Sequence, residues 1–202
     1  ENIHVLPVGI ALSDLHPVGL NGPNRILWNH RWSHDKNPGE FVHAMALLAA
    51  EGHEFELYAL GEVERAGEKA FRRLKEQLSD RVLLSGTQSS ETYRQALCRS
   101  DLVVSTAHHE FFGVSVAEAI AAGARPVLPD RLAYPELVPS AYSSEFLYHE
   151  SLETALSSIL SSSRDELHRH RHETREHIAN FGWEKVAPKY DSLLNELLSP
   201  HS

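Results

Sequence analysis

The sequence has little cysteine, no long apolar run and a deficit of basic residues, and each of these scarcities excludes a class of protein. Its one cysteine, Cys98, has no partner for an internal disulfide, so a scaffold held together by disulfides is excluded. No apolar stretch is long enough to span a membrane, and no signal peptide is present. We therefore expect a protein of the reducing cytoplasm that makes no membrane contact.

The charge and length of the chain limit its expected partners and its number of domains. Lysine and arginine number 19 against 28 aspartate and glutamate residues, which gives a net charge of −9 at pH 7. Because no basic stripe is present, we do not expect this chain to hold nucleic acid unaided. Its 202 residues are 42% hydrophobic, which suits one globular domain with a substantial core.

The first two dozen residues have the composition of a linker. Proline and glycine are concentrated there, at positions 7, 9, 17, 19, 22 and 23. The chain also begins at Glu1 without an initiator methionine. We expect residues 1–24 to be an interdomain linker and the chain to be a C-terminal portion of a longer protein.

Beyond residue 24, short apolar runs alternate with helical patterns. Asn37 and Pro38 predict a helix start with a capping side chain, and Gly52 predicts its end. A charged helix is predicted over 64–78, and residues 152–198 are predicted to be helical. Strands are predicted at 25–28, 55–60, 82–84, 102–104, 126–128 and 146–148. This α/β order predicts a Rossmann-like, doubly wound parallel sheet of about six strands with helices on both faces, a domain over 25–180 and a C-terminal helix over 181–202.

The most informative stretch is residues 108–123. A β-branched run over 101–106 leads into a loop that contains Glu110 and Gly113, and a helix of small residues follows from Val114 with Glu118 expected on its first turn. A strand, a glycine loop and a helix start in this order present backbone N–H groups to a phosphate.

A second group of polar residues follows the first strand. Arg31 and Lys36 are expected in the loop at the carboxyl end of that strand, where ligands bind in open α/β sheets. Arginine offers a planar fork and lysine a compact charge, and the two together suit a diphosphate.

These residues resemble a known family. His109-Glu110-Phe111-Phe112-Gly113, with Glu118 eight positions after Glu110, resembles the Glu-x7-Glu signature of retaining GT-B glycosyltransferases of family 4, and Arg31 and Lys36 match the Arg-x4-Lys spacing of that family. The strings over 27–32 and 34–38 look like the branch of glycosyltransferase-like domain-containing proteins that includes the tRNA-queuosine α-mannosyltransferases. Family 4 at large tends to have glycine at the position of His30.

The resemblance implies that the chain is one lobe of a GT-B fold, which binds a nucleotide-diphosphate sugar, with GDP-mannose as the donor and queuosine in tRNA as the acceptor. The acceptor would be bound mainly by the missing N-terminal lobe, so we expect the isolated chain to be inactive. The resemblance implies no metal and no other cofactor.

The resemblance also implies roles for single residues. Arg31 and Lys36 would hold the diphosphate during catalysis, and Glu110 would bind hydroxyls of the donor sugar. Glu118 would accept hydrogen bonds from the ribose hydroxyls. The remaining candidates for donor binding are Phe112, Gly113 and Val114 through their backbone N–H groups, His109 beside the sugar, and Gly86 and Thr87 near the base.

Two alternatives remain open. A non-catalytic nucleotide-sugar sensor would use the same lobe, and a sugar-nucleotide epimerase can share the GT-B fold. The cations and acids favour transfer over epimerisation, but they do not exclude a binding module. His168, His170 and His172 could face one metal ion, although a solvated helix face is the more ordinary interpretation.

Overall fold

The computed structural model describes residues 3–19 and 22–198. The predicted linker over 1–24 and the predicted C-terminal segment over 181–202 therefore lie partly outside the described residues, at 1–2, 20–21 and 199–202. Among the described residues, no helix combines the length and the apolar character needed to cross a membrane.

The described chain forms one sheet of six parallel strands, which confirms the predicted doubly wound architecture. Its spatial order is β3-β2-β1-β4-β5-β6. The strands are β1 (Asn24–Asn29), β2 (Phe55–Leu60), β3 (Val82–Gly86), β4 (Leu102–Val104), β5 (Arg125–Pro129) and β6 (Leu147–Tyr148).

The helices follow the predicted alternation with two local corrections. They are α1 (Pro38–Ala50), α2 (Glu68–Leu78), α3 (Ser90–Cys98), α4 (Val114–Ala121), α5 (Ser143–Phe146), α6 (Leu152–Leu160), α7 (Arg164–Leu167), α8 (Arg171–Ile178) and α9 (Trp183–Leu198). Helix α2 begins four residues later than predicted because Trp32 and Val63 form a β-bridge before it. Asn37 does not cap α1 through its side chain, since its backbone is left-handed and its amide donates to Glu40 instead.

The two faces of the sheet carry separate cores because side chains alternate along each strand. On β1, Leu27 packs against one face, in a cluster that includes residues of α3 and α4. Ile26 and Trp28 pack against the other face, with residues of α1, α2 and α6. Both layers exclude water, so the strand ends are held rigidly between them.

The strand order reverses between β1 and β4. The chain builds β1, β2 and β3 outward on one side and then returns to pair β4 with β1. The loops that follow these two central strands, residues 30–37 and 105–113, therefore meet at one edge of the sheet. This switch point is the place where open α/β sheets bind their ligands.

The N-terminal segment is attached to the domain near the start of α9. The Ile10 N–H donates to the Phe181 carbonyl at 2.8 Å, and the Trp183 N–H donates to the Ile10 carbonyl at 3.1 Å. The Ile10 side chain is buried. The division into linker, domain and terminal helix stays a prediction.

Cys98 packs, half-buried, against the core, as expected of a small hydrophobic residue.

Candidate functional site

An open cavity of about 520 Å³ lies at the switch point, between the loop after β1 and the loop after β4. It brings together seven of the ten predicted site residues. The lining residues from the prediction are Arg31, Lys36, Glu110, Phe112, Gly113 and Val114, and His109 lines it as well. Loops from two central strands thus form a single site.

Lys36 and Glu110 form an ion pair in the wall of this cavity. The Lys36 Nζ donates to Glu110 Oε2 at 3.1 Å and to the His109 carbonyl at 2.7 Å. The exposed fractions of the two side chains are only 11% and 13%. The other oxygen of Glu110 accepts from the Phe111 N–H at 3.1 Å. Both predicted charged side chains therefore lie in the cavity wall, where they pair with each other.

Arg31 stands at the rim of the cavity. Its Nη1 donates to Glu64 at 3.0 Å, and both side chains are well exposed to solvent. An exposed ion pair of this kind contributes about 0–1 kcal/mol. The guanidinium can therefore exchange Glu64 for an anion in the cavity at little cost.

The two loops are fastened to each other through their backbones. The N–H groups of His108 and His109 donate to the Asp35 carbonyl at 2.7 and 3.2 Å. The Thr106 hydroxyl donates to the carbonyls of Lys36 and Asn37 at 2.9 and 3.0 Å. These bonds fix the position of the Lys36 chain relative to the loop of Glu110.

Asp35 adds a second carboxylate beside Lys36. Burial by itself acts to raise the pKa of Asp35, but the hydrogen bond from Ser33 and the charge of Lys36 outweigh it, so that the pKa lies below its usual value. The Lys36 Nζ lies 3.6 Å from Asp35 Oδ2. Lys36 therefore faces two acidic side chains, Asp35 and Glu110.

Gly113 turns the loop into helix α4. Its φ of +88° is left-handed, and a Cβ at this position would lie 3.0 Å from the Leu137 side chain. Because glycine supplies no capping side chain, the first N–H groups of α4 are available to a ligand. The helix begins at Val114, so the expected placement of Glu118 on the first turn is wrong: Glu118 is on the second turn.

Glu118 lies behind the cavity wall rather than in it. It accepts a hydrogen bond from the Tyr93 hydroxyl at 2.9 Å, and that hydroxyl accepts one from the Asn29 amide at 3.2 Å. The Asn29 amide also donates to the Ser115 carbonyl at 2.8 Å. Burial raises the pKa of Glu118, and the Tyr93 hydrogen bond offsets part of that rise. Its role toward a ribose stays a prediction.

The residues predicted near a nucleotide base lie farther along the same sheet edge. Gly86 ends β3, and Thr87 follows it; neither lines the cavity. The Gly86 carbonyl accepts from the Gly61 N–H at 3.0 Å, which joins the ends of β3 and β2. A ligand that contacted both the cavity and the Gly86–Thr87 segment would have to start at the ends of β1 and β4. It would then have to cross the end of β2 to reach the end of β3.

Sequence reasoning missed several residues of the cavity wall. Asn29, His30, Asp35 and Ser115 line it, and so does Val8 of the N-terminal segment. Burial and the nearby Lys36 lower the pKa of His30 to about 4, so its imidazole is neutral at pH 7. Their positions in the sequence could have indicated all of these residues except Val8. Each of the others directly follows a predicted strand or is adjacent to a predicted site residue.

The three histidines near residue 170 do not form a metal site. His168 contacts Asp101 at 3.2 Å, His170 stacks on Tyr142, and the exposed His172 contacts Glu176 at 3.3 Å. Within residues 3–19 and 22–198, no three His, Cys, Asp or Glu side chains are grouped to hold a metal ion. The interpretation of a fully solvated helix face is also wrong for His168 and His170, because the chain turns between α7 and α8.

Comparisons with known proteins agree with this geometry. The family model described as glycosyl transferases group 1 matches residues 17–180. A tRNA-queuosine alpha-mannosyltransferase of Drosophila melanogaster is 36% identical over 126 residues, which are 62% of this chain and 32% of that protein. A GDP-mannose:cellobiosyl-diphosphopolyprenol alpha-mannosyltransferase of Xanthomonas oryzae pv. oryzae is 23% identical over 199 residues, or 94% of this chain and 52% of that one.

Solved structures share the fold. Sucrose-phosphate synthase from Thermosynechococcus elongatus superposes with a TM-score of 0.75 at 22% identity, covering 96% of this chain and 52% of that one. The catalytic domain of the cholesterol-alpha-glucosyltransferase from Helicobacter pylori gives a TM-score of 0.66 at 21% identity, covering 79% and 99%. The chain spans between about a third and a half of the length of the curated relatives described above.

Proposed function

Because the chain belongs to the glycosyl transferases group 1 family, we propose that it is the donor-binding half of a retaining glycosyltransferase. The cavity at the switch point would hold the diphosphate of a nucleotide-diphosphate sugar. The single observation that carries this proposal is the convergence of Arg31, Lys36 and the start of α4 on one cavity, with Glu110 beside them.

The charges of the cavity match the charge that the reaction develops. Negative charge grows on the nucleoside diphosphate as its bond to the sugar breaks. Lys36, Arg31 and the positive end of α4 would face that charge, and groups fixed in advance stabilise the transition state more than the ground state. The cations and the helix end would then take the place of a divalent metal.

The carboxylates have a separate role. A carboxylate only accepts hydrogen bonds, so it suits the hydroxyl groups of a sugar. Glu110 lies in the cavity wall beside Lys36 and would hold the sugar next to the diphosphate. Once Lys36 turns to the phosphate, Glu110 is released to accept from hydroxyls. We assign Glu118 to the ribose through the polar chain of Tyr93 and Asn29.

The names of the relatives support a mannosyl donor. Both are α-mannosyltransferases, and the Xanthomonas oryzae protein is named for GDP-mannose. We propose GDP-mannose as the donor and, from the Drosophila melanogaster relative, queuosine in tRNA as the acceptor. Because this chain matches at most about half of these proteins, we propose that acceptor binding needs the remaining part and that transfer by this chain alone is absent.

We expect the chain to bind GDP and GDP-mannose without a divalent metal. The reason is that its cations already supply the charge that Mg²⁺ would otherwise provide. Calorimetric titrations with GDP, UDP and ADP, each with and without EDTA, measure this directly. Binding that is unchanged by EDTA supports the proposal. The absence of heat from every nucleotide, or binding that depends on added Mg²⁺, contradicts it.

A further inference from the structure

His30 occupies an unusual position in the cavity wall. It directly follows β1, precedes Arg31, and is only 4% exposed. His30 is one of the residues that line the cavity, although no predicted role accounts for it. A buried, polar, titratable side chain needs partners for both of its ring nitrogens.

The structure provides a partner for one nitrogen of the ring. The backbone carbonyl of Val104 accepts a hydrogen bond from the imidazole. Nε2 is buried and has no partner within the described part of the chain. The donating nitrogen is therefore Nδ1, and Nε2 of the neutral ring carries an unused lone pair. The ring also packs edge-on against Trp28, with 5.3 Å between centroids.

Three charged groups act on this imidazole, and all belong to the two loops of the cavity. Lys36 disfavours its protonation, whereas Glu110 and Asp35 favour it. In the structure, burial and Lys36 prevail, and they keep the ring neutral at pH 7. Lys36 is also the cation that is engaged by Glu110 at 3.1 Å, so the state of His30 depends on where that cation lies.

A bound diphosphate changes this balance in one direction. It brings negative charge to the cavity and draws Lys36 away from the two carboxylates. Both effects favour a positive charge on the ring. We propose that His30 is a positioning residue that takes up a proton when a nucleotide sugar binds, and that its charge then balances those of Glu110 and Asp35 while Lys36 engages the diphosphate. This inference rests on the proposed function.

The sign of the pH effect follows from linkage. The pKa of His30 is about 4 in this structure and would be higher in the complex with a nucleotide sugar, so binding consumes protons between the two values. The affinity for a nucleotide sugar therefore rises as the pH falls through that window, by up to about tenfold per pH unit. Above the pKa of the loaded site, the affinity does not depend on His30.

Calorimetry with GDP-mannose at pH 6, in several buffers of different ionisation enthalpy, counts the protons taken up. A nucleotide sugar is the right probe because neither of its phosphates titrates near neutral pH, unlike the terminal phosphate of GDP. We expect uptake of about 0.3–1 proton per bound ligand in the wild type, decreasing toward pH 8.

Matched variants show which histidine takes up the proton. His30→Gln keeps an amide donor for the Val104 carbonyl but does not titrate, and its uptake should fall close to zero. His34→Gln and His108→Gln change exposed histidines of the same two loops and should retain the uptake of the wild type. Equal uptake in His30→Gln and the wild type, or binding of GDP-mannose by the wild type without uptake, overturns the proposal.

A second measurement needs no variant. With labelled histidine, NMR resolves the titration of each imidazole among the 14 histidines of the chain. We expect the titration midpoint of one buried histidine to rise when GDP-mannose saturates the protein. If no midpoint rises, the proposal is overturned, and this test holds even if His30→Gln fails to fold. If the wild type binds no nucleotide at all, the proposed function is refuted instead. The failure of the His30 proposal and the failure of the proposed function therefore give different results.

Discussion

Replacing Lys36 with methionine is expected to lower the affinity for GDP-mannose by about 10- to 100-fold, since hydrogen bonds to charged groups contribute about 1.5–3 kcal/mol. It should also destabilise the fold. The change removes the cation from Glu110, whose side chain is only 13% exposed, and the donor from the His109 carbonyl. We expect a loss of about 2–3 kcal/mol in the free energy of unfolding, measured by urea denaturation beside the calorimetric titration.

The double variant Lys36→Met with Glu110→Gln separates the two effects. It removes the uncompensated carboxylate, so most of the lost stability should return. The affinity should stay low, because the cation that meets the diphosphate is still missing. Lys69→Met, which changes an exposed lysine of α2, is the control and should leave both properties unchanged. Wild-type affinity in Lys36→Met, or recovery of affinity in the double variant, would remove Lys36 from the donor site.

Gly113→Ala is expected to reduce both stability and donor affinity. The backbone at this position has a φ of +88°, and the added Cβ would lie 3.0 Å from the Leu137 side chain. A left-handed conformation costs about 1–2 kcal/mol for a residue with a Cβ. Any relaxation of the loop moves the first N–H groups of α4 away from the diphosphate, and we expect the affinity to fall by about tenfold, or 1.4 kcal/mol.

Gly39→Ala provides the matched control for this change. Gly39 also lies near the start of a helix, α1, but a Cβ there would meet no atom within 4 Å. Alanine at such a site is expected to stabilise by about 0.4–1 kcal/mol through the unfolded chain. Thermal denaturation and calorimetry on both variants provide the comparison. Equal behaviour of the two variants would show that the turn at Gly113 neither constrains the fold nor positions the site.

The positions of the strands along the chain could be predicted from the sequence because buried parallel strands read as short apolar runs between helical patterns. The start of α2 could not be predicted in the same way. Glu64 and Arg65 continue the charged helical pattern, but the bridge between Trp32 and Val63 holds the preceding chain extended. A contact between distant segments therefore overrode a local preference.

The site was predictable where its chemistry lay in short motifs. Arg31, Lys36 and Glu110 converge because the loops after β1 and β4 meet at the switch point. The distance of Glu118 from the cavity was not predictable, since it depends on Tyr93, a residue of α3. Likewise, the burial of His168 follows from its contact with Asp101, which precedes β4 by one residue and lies 67 positions earlier in the sequence.

The most direct test of the donor-site assignment is an NMR map of the backbone amide signals that change when GDP-mannose is added to isotopically labelled protein. We predict that the largest changes fall on residues 30–36 and 109–115, which surround the cavity at the ends of β1 and β4. It predicts little change around the separate cavity of about 310 Å³ beside Arg125 and Tyr148. Changes centred on that second cavity, with residues 30–36 and 109–115 unaffected, would contradict the assignment of the donor site.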